Sequence, residues 1–185
     1  MFIKYARLWF TLAFLISLYL FADIFGLREF LSLAYIQTSF NNHFWLGVVI
    51  FSALFALGNL IQIPGWIFLA AAVLALGKLC GGLVTYIAAV FACCVTYGVI
   101  RVMGGAALRE LKTPLAQRLL ARLDAHPLQT LVLLRCIFQT APPLNYTLAL
   151  AGVTFRPYLL GTLLGLPLPI ATYCVLFDFL KTSLL

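Results

Sequence analysis

Arg135 stands in an apolar run, Leu128 to Val153, that also carries Thr140-Ala141-Pro142-Pro143 and Asn145. A guanidinium at membrane depth costs about 2.5–3.5 kcal/mol on insertion scales unless it meets water or a partner. Phosphate is such a partner, bound at two points by the planar arginine fork in a way a lysine ammonium does not match. The competing role is anchoring, because Arg135 lies only about 10 Å along a helix from Pro142 and its long stem could snorkel to water. Asn59, Gln62, Pro64 and Gly65 interrupt an earlier apolar run, His43 to Leu76, much as Gln139, Thr140, Pro142, Pro143 and Asn145 interrupt the later one. Non-helical turns at such depth leave amides and carbonyls that must satisfy each other, line a wet path or hold a phosphate.

Other chemistry-bearing residues are sparse. Arg101 follows Tyr97 by one helical turn and shares its face, suited to positive-inside anchoring or to a headgroup. Asp23 and Asp178 fall near the outer ends of apolar segments, with Lys78 an ion partner within reach in that layout. A carboxylate held out of water keeps its proton to higher pH, so either acid is a candidate for proton coupling. Cys93-Cys94 raises the alternative of a small-ion or soft-metal transporter for mercury or copper, although adjacent helix positions diverge by roughly 100°. No paired carboxylates at short spacing, His-x-x-Glu-His pair, phosphate-cradling glycine loop or Cys-x-x-Cys occurs. The expectation is therefore no enzyme, no resident metal and no cofactor.

The elements that would position these groups are helices in a membrane. Of 185 residues, 64% are hydrophobic and 9% charged, against roughly 25% charged in a soluble domain. About 20 apolar residues cross a bilayer, and Leu8 to Gly26, Leu83 to Met103 and Leu159 to Leu180 qualify, the last with Pro167 and Pro169 inside it. Leu27, Phe30, Leu31, Ala34 and Tyr35 recur at helical spacing opposite Arg28 and Glu29, the pattern of an interfacial helix. Leu108, Leu111, Leu115, Leu119 and Leu123 form a similar stripe, with Thr113-Pro114 as a helix start. The two longer apolar runs are too broken for single spans.

Charge fixes their topology. The net charge of +7 reports membrane orientation and attraction to anionic lipid headgroups rather than nucleic-acid binding, since no long basic run stands apart from an apolar span. Lys4 and Arg7 place the N-terminus in the cytoplasm, retained as an anchor, and Arg109, Lys112, Arg118 and Arg122 place the stretch from Gly104 to His126 there too. An even number of crossings must separate them. Leu8 to Gly26 and Leu83 to Met103 supply two, so His43 to Leu76 must turn back at Pro64-Gly65 as a re-entrant hairpin. Leu128 to Val153 then turns back at Pro142-Pro143 from the opposite face. His43 and His126 lie at opposite faces and cannot share a metal. Pro64 to Tyr97 is 33 residues and Pro142 to Tyr173 is 31, a faint inverted-topology repeat of the kind that places a substrate site where broken helices meet.

The expected fold is an all-α integral membrane protein. An N-terminal anchor and interfacial helix occupy 1–42 and a membrane domain 43–185, the latter with repeat one over about 43–103, a cytoplasmic amphipathic linker over 104–127 and repeat two over about 128–185. A homo-oligomer is compatible with this layout, and the five cysteines, odd in number and in or beside apolar segments, give no disulfide framework.

Pro64-Gly65, Gly77, Gly81, Gly82, Tyr97-x-x-x-Arg101 and Gly104-Gly105, followed by Leu133-Leu134-Arg135, Pro142-Pro143-x-Asn145, Gly152, Phe155-Arg156-x-Tyr158 and Gly161 to Pro167, resemble the DedA/VTT-domain (SNARE-associated Golgi protein-like) membrane proteins. The resemblance covers about Asn59 to Leu180. It implies two opposed re-entrant hairpins and movement of lipids between leaflets by a flippase or scramblase, of phospholipid or polyprenyl phosphate, with coupling to the proton gradient in some bacterial members. A bacterial cytoplasmic membrane is the implied location. Trp66 stands where DedA proper has an acidic residue, and Phe138 where a proline is common. Those departures align the chain with the broader VTT group.

Overall fold

The computed structural model describes residues 44–104 and 114–184, and within them every regular element is an α-helix. The expected crossing Leu8 to Gly26, the interfacial helix after it, Asp23, His43 and the first part of the leucine stripe lie outside the described residues.

Helix α1, Phe44–Leu60, ends where Gln62 takes a φ of 70° and the backbone of Ile63 donates to Gly58 O at 2.8 Å. Pro64, extended at φ −63° and ψ 135°, leads into α2, Gly65–Leu76, which stops at Gly77 with φ 79°. There the chain turns directly into α3, Lys78–Gly104. This element extends the expected crossing Leu83 to Met103 at both ends. Its 27 residues measure about 40 Å, enough for the hydrocarbon core and most of the headgroup layers.

The second half repeats that order. Amphipathic α4, Pro114–Ala125, starts at the expected proline and buries Leu123 against the body. Helix α5, Pro127–Phe138, has proline in its first turn, where a missing N–H costs nothing. Gln139 then takes a φ of 51°, and α6, Pro142–Leu150, follows. A φ in this region is costly for a side chain without special shape, yet both breaks place a glutamine there. Helix α7, Phe155–Gly165, and α8, Pro167–Leu184, close the chain.

The apolar stretch expected as a crossing over Leu159 to Leu180 is present, within Phe155–Leu180, and it bends at Leu166 where two helices meet. Pro167 has no N–H for Leu163 O, nor Pro169 for Gly165 O. Side chains of other helices replace them: the Tyr86 hydroxyl donates to Leu163 O at 3.0 Å and the Cys136 thiol to Gly165 O at 3.5 Å. The same substitution recurs at other prolines. Leu60 O, four residues before Pro64, accepts from Tyr146 at 2.8 Å, and Val153 O, four before Pro157, accepts from Tyr97 at 2.7 Å. Gln139 O, four before Pro143, accepts from Arg135 Nη1 at 3.0 Å. Each of these freed carbonyls is therefore satisfied by a polar side chain, four of them from a distant element and Gln139 O from Arg135 of its own helix, the condition for irregular backbone away from water.

Two cores flank the stitches. Phe51, Phe55 and Phe68 pack with Leu69, Val73 and Ala88 between α1, α2, α3 and α8, the Phe55 and Phe68 rings stacked at 4.5 Å. Tyr97, Tyr146 and Tyr158 pack with Ile100, Leu131 and Leu148 between α3, α5, α6 and α7. Gly161 and Gly165, one turn apart, let α7 lie directly on α5. A Cβ at either would come within 2.5 Å of the Cβ of Leu131 or Arg135 respectively. Small residues at this spacing bring helix backbones together where lipid removes the hydrophobic drive.

Candidate functional site

The close approach of α7 to α5 places Thr162 and Tyr158 against Arg135. The Arg135 side chain is 0% exposed. Its Nε donates to Thr162 Oγ1 at 3.2 Å, its Nη1 to Asn145 Oδ1 at 2.6 Å and to Gln139 O, and its guanidinium carbon lies 5.2 Å from the centre of the Tyr158 ring. The guanidinium is directed inward, so snorkelling to the boundary is corrected to burial at the junction of the two turns. Among the described residues no carboxylate reaches it.

Asn145, also 0% exposed, is the hub. Its Oδ1 takes the Arg135 donor and is approached by the Tyr158 hydroxyl at 3.2 Å and the Cys93 thiol at 3.6 Å. Its Nδ2 donates to Asn59 Oδ1 at 3.0 Å, bridging α6 to the end of α1. Tyr146 reinforces that bridge by donating to Asn59 O and Leu60 O. The turns also touch directly, because Gly65 presses on the Thr140 side chain so closely that no Cβ would fit.

Three buried nitrogens of this network have no hydrogen-bond partner: Arg135 Nη2, Asn59 Nδ2 and Gln139 Nε2. A buried donor left unmade costs about 1–3 kcal/mol, more on a charged group. A buried cation without a counter-charge is costlier still. The site therefore offers donors and positive charge to an acceptor-rich anion.

The structure brings Arg135, Gln139, Pro142, Asn145 and Gly65 to this junction. Gln62 and Pro64 shape the first turn and are exposed, the Gln62 side chain hydrogen-bonding Tyr146 at the edge of the network, and Pro143 is exposed on the second. Tyr97 lies beside the centre, its ring 4.6 Å from that of Tyr158, while Arg101 one turn on donates to Ala149 O at 3.4 Å. Asp178 stands apart, paired with Lys78 at 2.9 Å as the sequence layout suggested. Asn59, Tyr146, Tyr158 and Thr162 join the site without having been singled out for it. Asn59 and Tyr158 left a trace, one as a polar interruption of an apolar run and the other inside the family-like motif. Cys93 turns into the network while Cys94 is only half-buried. Among the described residues no group of three or more His, Cys, Asp or Glu side chains is close enough to hold a metal ion.

Two stretches, Lys78–Gly104 and Phe155–Leu180 taken across its bend, are long and apolar enough to cross a membrane. With two helix–turn–helix units meeting on a buried cation, they define a helical membrane protein with an internal polar centre. The model of the VTT domain matches residues 63–179, well over half the chain and within the stretch that carried the resemblance, and the protein belongs to that family. Neither curated proteins nor solved structures give a match.

Proposed function

We propose that the protein is a flippase or scramblase that carries phosphate-bearing lipid headgroups, of phospholipid or polyprenyl phosphate, between leaflets through the Arg135–Asn145 centre, without enzymatic chemistry. The observation that carries this reading is the fully buried Arg135, with an unpartnered Nη2 and no described carboxylate beside it. A phosphate oxygen would complete the arginine fork, and Asn59 Nδ2 and Gln139 Nε2 belong to the same network. Helices α1–α2 and α5–α6 then act as re-entrant hairpins from opposite faces, and the two halves as an inverted repeat whose broken helices meet at depth. The recurrence of helix, turn with a positive-φ glutamine, short helix and membrane-length stretch, continuous in α3 and bent at Leu166 in α7–α8, supports that arrangement. Anionic membrane lipids are the partners, a bacterial cytoplasmic membrane with the N-terminus inside is the location, and Asp23 and Asp178 are the candidates for proton coupling.

Reconstitution into liposomes with a leaflet-specific phospholipid reporter tests the proposal. Exchange without a proton gradient is expected of a scramblase, and exchange only with a gradient of a coupled flippase. No exchange in either condition, with uptake of mercury or copper ions, would overturn it in favour of the soft-metal alternative at Cys93 and Cys94.

A further inference from the structure

Helix α8 meets the rest of the fold along a narrow strip. Pro169, Ile170 and Cys174 are buried and Phe177 partly so, the last three packing on the core shared by α1, α2 and α3, while Leu168, Val175 and Phe179 are 64–67% exposed. Beside the strip a groove of about 460 Å³ separates α8 from the first half of α3, lined among others by Lys78, Gly82, Tyr86, Pro167, Ala171 and Cys174. The two helices come closest at Gly82, where an added Cβ would lie 2.8 Å from Cys174 Sγ. Farther from the α7–α8 bend, Lys78 pairs with Asp178 at 2.9 Å, the side chains 55% and 34% exposed. An exposed pair of this kind contributes about 0–1 kcal/mol. Nor does a hydrophobic drive hold the strip in place, since in a bilayer separation exchanges protein contacts for lipid tails of equal apolarity.

At its other end α8 begins in a bend whose bonds do not depend on its angle. Pro167 and Pro169 remove two backbone donors where α7 and α8 meet at Leu166. The freed Leu163 O and Gly165 O are held by Tyr86 of α3 and Cys136 of α5, so α8 can tilt without undoing either bond. The bend also adjoins the polar centre, because Gly165 lies against Arg135 Cβ and Thr162 accepts from Arg135 Nε. We propose that α8 is a hinged gate, swinging about residues 166–169 away from α3 to open the groove toward the Arg135 centre and closing again onto Gly82 in each transport cycle. The inference rests on the transport reading and adds its moving part. A swing of about 20°, a small proline kink, carries Phe179, about 20 Å along the helix from Leu166, through about 7 Å.

Two measurements on the full chain in liposomes test the gate. Spin labels carried on p-acetylphenylalanine at Leu79 and Phe179, 83% and 65% exposed, report the α3–α8 distance without using cysteine. Two populations are expected, differing by about 7 Å, the arc of a 20° swing. A single population would overturn the gate. In the second measurement, Gly82→Cys combined with Cys80→Ser is oxidised, which should join position 82 to Cys174, since their spacing is close to that of a disulfide. Locking α8 shut should remove the longer distance and lower lipid exchange about tenfold or more by denying the protein its open state, with recovery on reduction. Cys80→Ser alone, given the same oxidant, should keep its rate. A linked protein that exchanges lipid as fast as when reduced, or no link to Cys174 under oxidant, would overturn the proposal. Two distance populations without lipid exchange in the reduced protein would leave the hinge standing and remove the transport reading, while exchange with a single population would do the reverse.

Discussion

Asn145 Oδ1 lies 2.6 Å from Arg135 Nη1, and the same side chain's Nδ2 reaches Asn59 Oδ1, so a single amide ties the buried cation of one turn to the helix end before the other. The oxygen is neutral. Asn145 therefore orients the guanidinium without discharging it, and the charge remains for a ligand.

Replacing that amide by a carboxylate should separate stability from transport. Asn145→Asp supplies the missing counter-charge inside the fold, the Tyr158 and Cys93 donors still face an acceptor, and Asn59, whose Nδ2 has no partner, can turn its amide to replace the lost Nδ2 bond by donating to the second carboxylate oxygen. We expect unchanged or higher thermal stability in detergent together with transport lowered about tenfold or more, as an internal ion pair displaces a phosphate contact worth about 1.5–3 kcal/mol. Transport at the original rate in a folded variant would show that Arg135 need not be available.

Helix contact at the glycines gives a second expectation. Gly165→Leu puts a side chain where Arg135 Cβ would stand 2.5 Å away and should cost about 1–3 kcal/mol by overpacking, with transport falling because Thr162 is pushed from the guanidinium. Gly98, on the same scale, has nothing within 4 Å of an added Cβ, so Gly98→Ala should be neutral or stabilise by up to about 1 kcal/mol through helix propensity. Melting curves of the two variants check both signs.

At the second turn, Gln139 holds a φ of 51° while its carbonyl accepts from Arg135. Gln139→Val should cost about 1–3 kcal/mol in backbone strain. Gln139→Gly relieves that strain and keeps the carbonyl, so it should melt no lower than the unsubstituted protein while losing the Nε2 donor and part of the transport rate.

Topology is checked by single cysteines on a cysteine-free background. Labelling is expected from outside at Gln37 and Gly77 and from inside at Gln117 and Thr154. Outside labelling at Thr154 would turn the stretch from Leu128 to Val153 into a full crossing and dissolve the opposed hairpins.

Much of the local architecture was legible because proline, glycine and glutamine punctuate otherwise apolar runs. Pro64-Gly65 and Pro142-Pro143 mark real helix starts, Pro114 opens the amphipathic helix, and Lys78 does meet Asp178. The bend at Leu166 within the expected crossing was not placed, because apolarity reports burial in lipid and is blind to continuity; Pro167 and Pro169 carried the signal, since two prolines two residues apart remove two donors within one helical turn. The partnership of Asn59 with Asn145 spans 86 residues, beyond any periodicity. Burial of Arg135 was likewise not readable, since snorkelling and inward bonding differ only in where neighbouring helices place their glycines.

Transport by Arg135→Lys, measured with the leaflet-specific phospholipid reporter in liposomes at matched protein insertion, tests the central claim most directly. Lysine keeps the charge but loses the fork that spans Thr162, Asn145 and a phosphate oxygen. The account predicts a fall of about tenfold or more with insertion unchanged. Transport equal to that of the unsubstituted protein would contradict a headgroup role for Arg135 and leave it a structural charge.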